Sequence, residues 1–278
     1  MNKRIVVGLD GSNYSKAAIE IACQQAQISE GTVVGIGVVD LPGIESIERG
    51  APVGAIYFAE KAEKHKLQDA LKKVKGFITD FENTCQSKGV KYEVHSTEGV
   101  PFEKIVEAGK MADLIIVGLK TYYHFETTSE PGNTVKRILT HSVCPVLAVP
   151  ETLTFPENII IAYDGSIVSA KALKTFIKQF SPTTGQHHIY ILTISDDKQK
   201  ANSIQEEALD YLKCWDMEPD TIIEDGKPKD VIQKYSEELK PSLVVIGAYG
   251  KSKITDYFFG STAQKLIETC SVPIFIHH

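Results

Sequence analysis

The chain contains the same sequence pattern twice. Residues 4–12 read RIVVGLDGS and residues 158–166 read NIIIAYDGS, so each is an apolar, mostly β-branched run followed by Asp-Gly-Ser. Three further pairs of segments match in the same order: 98–105 with 225–232, 113–118 with 242–247, and 142–149 with 269–276. Self-similarity on this scale predicts two structural units of one design.

The two copies differ in length at one place. Arg4 and Asn158 are 154 positions apart, whereas Pro145 and Pro273 are 128 apart. The second copy therefore lacks about two dozen residues, which we place between its second and third strands. The segment 150–156, PETLTFP, is short, largely polar and bounded by prolines, as is typical of a linker. We predict domains at 1–150 and 156–278.

Strand-like and helix-like patterns alternate within each copy. The first copy has strand patterns near 4–9, 33–39, 90–96, 114–117 and 146–149. Helical periodicity lies between them, for example over 12–28 and 59–87. The fourth strands, IIVGL and VVIGA, are apolar on both faces, which favours parallel strands covered by helices on two sides. This βαβα order predicts an α/β fold with doubly wound parallel sheets and right-handed crossovers.

Charge and composition exclude several classes of protein. The formal net charge of −6 disfavours nucleic-acid binding, which usually needs a basic face. No segment approaches the roughly 20 apolar residues of a membrane span, and the N-terminal apolar run is too short for a signal peptide. The five cysteines are scattered, odd in number and without a CxxC pair. We therefore expect reduced thiols and a cytoplasmic protein that binds no membrane.

Three features of the second copy are predicted to meet at one edge of its sheet. Asp164 ends the first strand, residues 195–197 (Ser-Asp-Asp) follow the second, and residues 247–250 (Gly-Ala-Tyr-Gly) follow the fourth. Open parallel sheets bind ligands at the carboxyl ends of their strands. Glycines at 247 and 250 allow a tight turn and a close backbone approach to phosphate.

A further glycine opens the helix that follows this turn. After a spacer of nine residues, Gly260 precedes Ser261 and Thr262 at the start of a helical pattern. The free N–H groups and the dipole of a helix N-terminus favour an anion, and the two hydroxyls can donate to phosphate oxygens. Each feature alone also fits a plain turn or helix cap. The complete string, placed between an apolar strand and a helix, favours a phosphate-binding loop.

This string resembles the ATP-binding signature of the universal stress protein family, Gly-2x-Gly-9x-Gly-Ser/Thr. Residues 245–252 (VIGAYGKS) and 271–276 (SVPIFI) are also similar to that family, and the resemblance extends over both copies. It implies a tandem universal stress protein with two flavodoxin-like, Rossmann-like domains. Each domain would have a five-stranded sheet in the order 3-2-1-4-5. The family's dimerisation through its last strands implies pairing of 146–149 with 274–276 inside one chain, and a further homodimer stays open.

The resemblance assigns nucleotide-binding positions to the second copy. Asp164 matches the acidic residue at the adenosine end, Ile194 a position whose backbone contacts adenine, and Ala162 a neighbour of that pocket. The ribose and phosphate contacts match Gly247, Gly250, Gly260, Ser261 and Thr262. The implied ligand is ATP, with Mg²⁺ on its phosphates. We identify no catalytic residue and no separate set of protein ligands for a metal.

The first copy departs from this signature. Gly118 and Gly132 are retained, but Thr121 replaces the second glycine, Asn133 replaces the serine, and the spacer is one residue longer. If position 121 needs a left-handed backbone, a β-branched residue there costs about 1–2 kcal/mol. Residues 122–125 (YYHF) are bulky enough to lie over the crevice. We expect the first copy to bind ATP weakly or not at all.

Three functions are compatible with these residues. The favoured one is an ATP-binding, stress-response regulatory protein with at most slow hydrolysis, because the loop has no evident base, no P-loop lysine and no metal-binding carboxylate. The second is a nucleotide-free protein-interaction module, because the family includes members that lack ATP. The third is an adenine-nucleotide-hydrolysing enzyme, such as an ATP pyrophosphatase. That enzyme would need an SGGxDS-like loop after the first strand. Residues 163–166 read YDGS instead, which disfavours this function.

Overall fold

The computed structural model describes residues 3–41, 56–121, 123, 133–152, 154–184, 187–248 and 260–278. These residues form two compact units, Met1–Cys144 and Pro145–His278. Both are α/β, as the alternating sequence pattern predicts. The predicted strands of the first copy agree with the observed ones to within two residues at each end.

The first unit is built on four parallel strands. Their order across the sheet is β3-β2-β1-β4. Strands β2 and β4 therefore pair with opposite edges of β1, which makes β1 the point where the strand order reverses. The elements are β1 (Arg4–Leu9), α1 (Asn13–Ser29), β2 (Thr32–Val39), α2 (Ile56–Ser87), β3 (Lys91–Glu98), α3 (Pro101–Gly109), β4 (Leu114–Gly118) and α4 (Asn133–His141). The two central strands, β2 and β1, are almost fully buried, as their β-branched sequences require.

The second unit contains six strands. Their order is β5-β10-β9-β6-β7-β8. The elements are β5 (Val146–Val149), β6 (Asn158–Ala162), α5 (Ile167–Thr184), β7 (His188–Ile194), α6 (Lys198–Lys213), β8 (Asp220–Glu224), α7 (Pro228–Glu238), β9 (Ser242–Gly247), α8 (Ser261–Thr269) and β10 (Ile274–His277). Counted within the second repeat, this is the order 3-2-1-4-5, so the prediction of that topology is confirmed.

Strand β5 ends the first repeat in sequence but belongs to the second compact unit. It pairs antiparallel with β10, placing Ala148 opposite Ile274, Leu147 opposite Phe275, and Val146 opposite Ile276. The predicted pairing of the two last strands is therefore confirmed. Both strands are buried along their whole length and apolar except for His277, and pairing satisfies the backbone groups that an open edge would leave exposed.

An aromatic cluster packs α5 onto β10. The centroid of the Phe275 ring lies 5.2 Å from that of Phe176 and 5.9 Å from that of Phe180, and both pairs have edge-to-face geometry. Phe176 and Phe180 stack on each other at 4.9 Å. This packing fixes α5 on the sheet and so determines where its N-terminus lies.

His277 makes the stability of the second unit dependent on pH. The side chain is 7% exposed, and its Nδ1 has no hydrogen-bond partner among the described residues. Burial, with smaller contributions from Lys171 and His278, lowers its pKa from 6.5 to about 4. Between those values the unfolded chain binds the proton and the folded chain does not, so stability is lost as pH falls through this window.

We expect the unfolding free energy of the second unit to drop by about 2 kcal/mol from His277 alone between pH 7 and pH 5. Urea unfolding followed by fluorescence of Trp215, the single tryptophan, measures it. His277→Gln removes the titrating group and should flatten that part of the pH profile. An unchanged pH profile in His277→Gln would show that the folded protein binds this proton as readily as the unfolded chain.

Candidate functional site

A cavity of about 390 Å³ lies at the carboxyl ends of β6, β7 and β9 in the second unit. Its volume is within the range of small-molecule sites. Seven of the eight positions selected from sequence line it: Ala162, Asp164, Ile194, Gly247, Gly260, Ser261 and Thr262. The eighth, Gly250, lies outside the described residues. The sheet edge thus brings together residues that are up to 100 positions apart in sequence.

Other residues line the cavity that the sequence had not singled out. Ser166 immediately precedes α5, Ser169 belongs to its first turn, and Pro228 and Ile232 come from the start of α7. A signal for them was present in the repeats, since Ser166 ends the Asp-Gly-Ser motif and the α7 residues belong to a repeated segment. The Gly-Xaa-Pro turn before α7 therefore marks a wall of the cavity as well as a helix start.

Asp164 holds the turn that joins β6 to α5. Its Oδ1 accepts hydrogen bonds from the Ser166 backbone N–H at 3.0 Å and from the Ser169 hydroxyl at 2.7 Å. The Ser166 hydroxyl oxygen accepts from the Ser169 N–H at 3.1 Å, capping the helix. Gly165 between them has φ +72, a left-handed conformation that favours glycine. The Asp-Gly-Ser motif is thus a structural turn and also presents a carboxylate to the cavity.

Gly247 is required by packing. A Cβ at this position would lie 2.9 Å from Val168 Cγ1 and 3.0 Å from the Ser169 backbone nitrogen. Gly118 is its counterpart in the first unit. A Cβ added at Gly118 would overlap the Cβ of Tyr14. The first glycine of the string is therefore kept in both copies because a helix begins directly against the strand end.

The N-terminus of α8 opens onto the cavity without a side-chain cap. Gly260 is the N-cap residue and supplies no side-chain hydrogen bond, and Ser261, Thr262 and Ala263 line the cavity. The first N–H groups of a helix lack intrahelical partners and carry the positive end of its dipole. Gly260 has φ −57 and ψ 135, which any residue can adopt. Glycine is therefore suited to position 260 because it has no side chain to enter the cavity, and its backbone conformation does not require glycine.

Part of the cavity lining is apolar. Leu192 and Ile194 of β7 contribute to it together with Pro228 and Ile232 of α7. Beneath them, the Thr193 hydroxyl donates to the Tyr163 carbonyl at 2.9 Å and holds the ends of β6 and β7 together. The cavity therefore combines an apolar slot with an uncapped helix N-terminus, which suits a ligand with a flat ring at one end and an anion at the other.

In the first unit, the Tyr123 side chain lies at the position that corresponds to this cavity. Gly8 matches Ala162 in the repeat, and a Cβ at Gly8 would overlap the Tyr123 hydroxyl oxygen and lie 2.8 Å from Ile105 Cδ1. Tyr123 is 6% exposed. Of the bulky residues 122–125, Tyr123 therefore does lie in the crevice, and the other three are outside the described residues.

Thr121 does not adopt the left-handed backbone considered from sequence. Among the described residues other than glycine, positive φ values occur at Glu30 and Asp216. The conformational cost suggested for a β-branched residue at 121 therefore does not arise. Thr121 is 3% exposed, and its hydroxyl has no hydrogen-bond partner within the described structure. At position 121 the first copy therefore differs from the signature through burial of a larger side chain, without a left-handed backbone at that residue.

Among the residues that the structure describes, no group of three or more His, Cys, Asp or Glu side chains is arranged to hold a metal ion. None of the helices in that part of the chain combines the length and apolar character needed to cross a membrane.

The fold and the cavity define a tandem α/β protein with a ligand-sized crevice in its second repeat. The profile of the universal stress protein family matches residues 1–150 and 156–278. The chain belongs to the universal stress protein family.

Relatives of known sequence or structure agree with this assignment. The chain is 22% identical to universal stress protein Slr1230 of Synechocystis over 289 residues, covering 98% of each chain. It is 33% identical to universal stress protein MJ0531 of Methanocaldococcus jannaschii over 150 residues, covering 53% of this chain and 81% of that protein. The crystal structure of a universal stress protein from Archaeoglobus fulgidus superposes with a TM-score of 0.70 at 17% identity, covering 99% of this chain and 95% of the other. The match along the whole chain confirms the tandem arrangement.

Proposed function

We propose that this universal stress protein is an ATP-binding regulatory protein of the stress response that holds nucleotide in its second unit. The observation that supports this most directly is that the uncapped N-terminus of α8 and a set of apolar side chains line the same cavity. The slot accepts the adenine ring beside Ile194 and Ala162. The backbone N–H groups and hydroxyls of Ser261 and Thr262 face the phosphates, and Asp164 accepts from a ribose hydroxyl or the adenine amine.

The cavity lining also indicates how the phosphate charge is balanced. The described lining residues include no lysine or arginine, so the helix N-terminus supplies the favourable potential. With no acidic cluster among the described residues, Mg²⁺ fits as an ion carried on the phosphates of the nucleotide. Asp164 and Tyr163 are the titratable side chains among those lining residues, and Asp164 Oδ1 is engaged in the turn. This set offers no positioned base for water, so we propose binding with at most slow hydrolysis.

Isothermal titration with ATP tests the proposal. We expect one nucleotide per chain, because Tyr123 lies over Gly8 in the first unit while the matching cavity of the second unit is open. Two equivalent sites would contradict the assignment to the second unit alone. Absence of heat with ATP, ADP and AMP would favour the alternative of a nucleotide-free interaction module. Product analysis after long incubation with ATP measures any turnover.

Asp164→Ala is expected to weaken ATP binding about 10- to 100-fold. The change removes the carboxylate from the cavity, and a hydrogen bond to a charged group contributes about 1.5–3 kcal/mol. The matched control is Asp10→Ala, which breaks the equivalent turn in the first unit. There Asp10 Oδ1 accepts from the Ser12 N–H at 2.9 Å and the Ser12 hydroxyl at 2.6 Å. Titration of both variants should show weakened binding for Asp164→Ala alone. Equal losses would indicate that the turn acts only through folding.

A further inference from the structure

Two cysteine side chains of the first unit lie side by side in its interior. Cys23 of α1 and Cys85 of α2 have their sulfur atoms 3.7 Å apart. Both residues are fully buried. The two positions are 62 residues apart in sequence, so the contact is tertiary. The other three cysteines, Cys144, Cys214 and Cys270, are also free thiols.

The two helices are already held together next to this pair. Lys88, just beyond the end of α2, forms a 2.7 Å ion pair with Glu20 of α1. The Lys88 carbonyl accepts a 2.8 Å hydrogen bond from the Gln27 side chain, also on α1. These contacts lie on both sides of Cys23 along α1, so they keep the two sulfur atoms in register. The proximity of the thiols is therefore a property of the helix interface.

The local environment makes the two thiols chemically different. The hydrogen bond between them lowers the pKa of Cys23 against the opposing effects of burial and of the Glu20 carboxylate, and Lys88 makes a smaller contribution in the same direction as the hydrogen bond. The same hydrogen bond, together with burial, raises the pKa of Cys85. Because the thiolate is the reactive form, this direction favours Cys23 as the attacking thiol of the pair.

We propose that Cys23 and Cys85 form an oxidation site that converts reversibly to an intrachain disulfide in the presence of a peroxide. The Cys23 sulfur attacks one peroxide oxygen, the O–O bond breaks, and the leaving hydroxide takes up a proton as water. Cys85 then attacks the resulting sulfenic acid, the S–O bond breaks, and a second water leaves with the proton from Cys85. Two thiols are oxidised and one hydrogen peroxide is reduced to two waters.

The geometry requires little rearrangement. The S–S bond length of 2.03–2.05 Å is about 1.7 Å shorter than the present separation. Burial restricts access, so the oxidant reaches Cys23 when the end of α2 opens locally. The consequence would fall on the contact between α1 and α2, where the Phe77 ring of α2 packs over Gly11 in the turn before α1. A disulfide would therefore fix α2 against α1 and this turn.

The test uses the full chain carrying Cys214→Ser, which removes the exposed thiol. After treatment with hydrogen peroxide, we expect the titratable thiols of the denatured chain to fall by two. Peptide mapping without reductant should recover Cys23 linked to Cys85, and dithiothreitol should restore both thiols. Adding Cys85→Ala should abolish the linked peptide, leaving Cys23 as sulfenic or sulfinic acid.

Several outcomes would overturn the proposal. Loss of thiols without a Cys23–Cys85 peptide would show that the pair cannot close. Links between chains, or links to Cys144 or Cys270, would place the oxidation elsewhere. Since mapping in the Cys214→Ser background needs no change at the pair itself, it is decisive even if Cys85→Ala folds poorly. A second measurement is the melting temperature, which should rise on oxidation and return on reduction only while both cysteines are present.

Discussion

Gly260→Glu is expected to abolish ATP binding while leaving the protein folded. The backbone at 260 has φ −57 and ψ 135, so glutamate can adopt it without strain. The new side chain would begin at the N-terminus of α8, where we propose that the anion binds. It would fill the space and place a carboxylate on the N–H groups that we assign to phosphate. We expect affinity to fall at least about 100-fold, or about 2.7 kcal/mol, measured by isothermal titration.

Two control variants separate the causes of that loss. Gln264→Glu adds the same charge one turn further along α8, at an exposed position that does not line the cavity. It should leave affinity within about threefold of the parent, because dipole and charge effects at an exposed site are below about 1 kcal/mol. Gly260→Ala adds bulk without charge and should give an intermediate loss. Retention of full affinity by Gly260→Glu would show that the anion does not bind at this helix.

Gly11→Ala is expected to destabilise the first unit by about 2–5 kcal/mol. Gly11 has φ +74, where an alanine costs about 1–2 kcal/mol. In addition, the new Cβ would lie 2.6 Å from two ring carbons of Phe77, and overpacking of this kind costs about 1–3 kcal/mol. Urea unfolding followed by circular dichroism measures the loss, and hydrogen exchange in α1 shows that it arises in the first unit.

Gly165→Ala is the matched control because the repeat places it at the same turn of the second unit. Its φ is +72, so the conformational cost is the same. Its nearest neighbour would be Ile204 Cγ1 at 3.1 Å, farther away than the Phe77 ring carbons would be from a Cβ at Gly11. We therefore expect a loss of only about 1–2 kcal/mol there. Equal losses at the two glycines would mean that the Phe77 ring moves aside without cost.

Much of the fold could be predicted from the sequence because its signals are local and occur twice. The β-branched runs, the Asp-Gly-Ser turns and the helical periods each depend on a few neighbouring residues, and their repetition established two units of one design. The strand order and the pairing of the last strands followed from the family resemblance, and the structure confirms both. Seven of the eight selected positions lie around one cavity for a related reason, since the carboxyl ends of parallel strands share an edge.

Apolar members of the cavity lining could not be selected in the same way. Pro228 and Ile232 read as an ordinary helix start and an ordinary core position, because a cavity wall and a packed core use the same side chains. A cavity wall differs from a packed core only in that no side chain of the protein fills the space next to it.

The amino-acid sequence by itself determined the duplicated α/β design, the turns and the glycines of the second-copy loop. Only the tertiary structure decided that Tyr123 lies against Gly8, that Thr121 keeps an ordinary backbone, and that Cys23 lies 3.7 Å from Cys85. The physical reason is that these contacts join residues distant in sequence. Which side chain occupies a given space depends on how whole helices pack, and no local pattern encodes that packing.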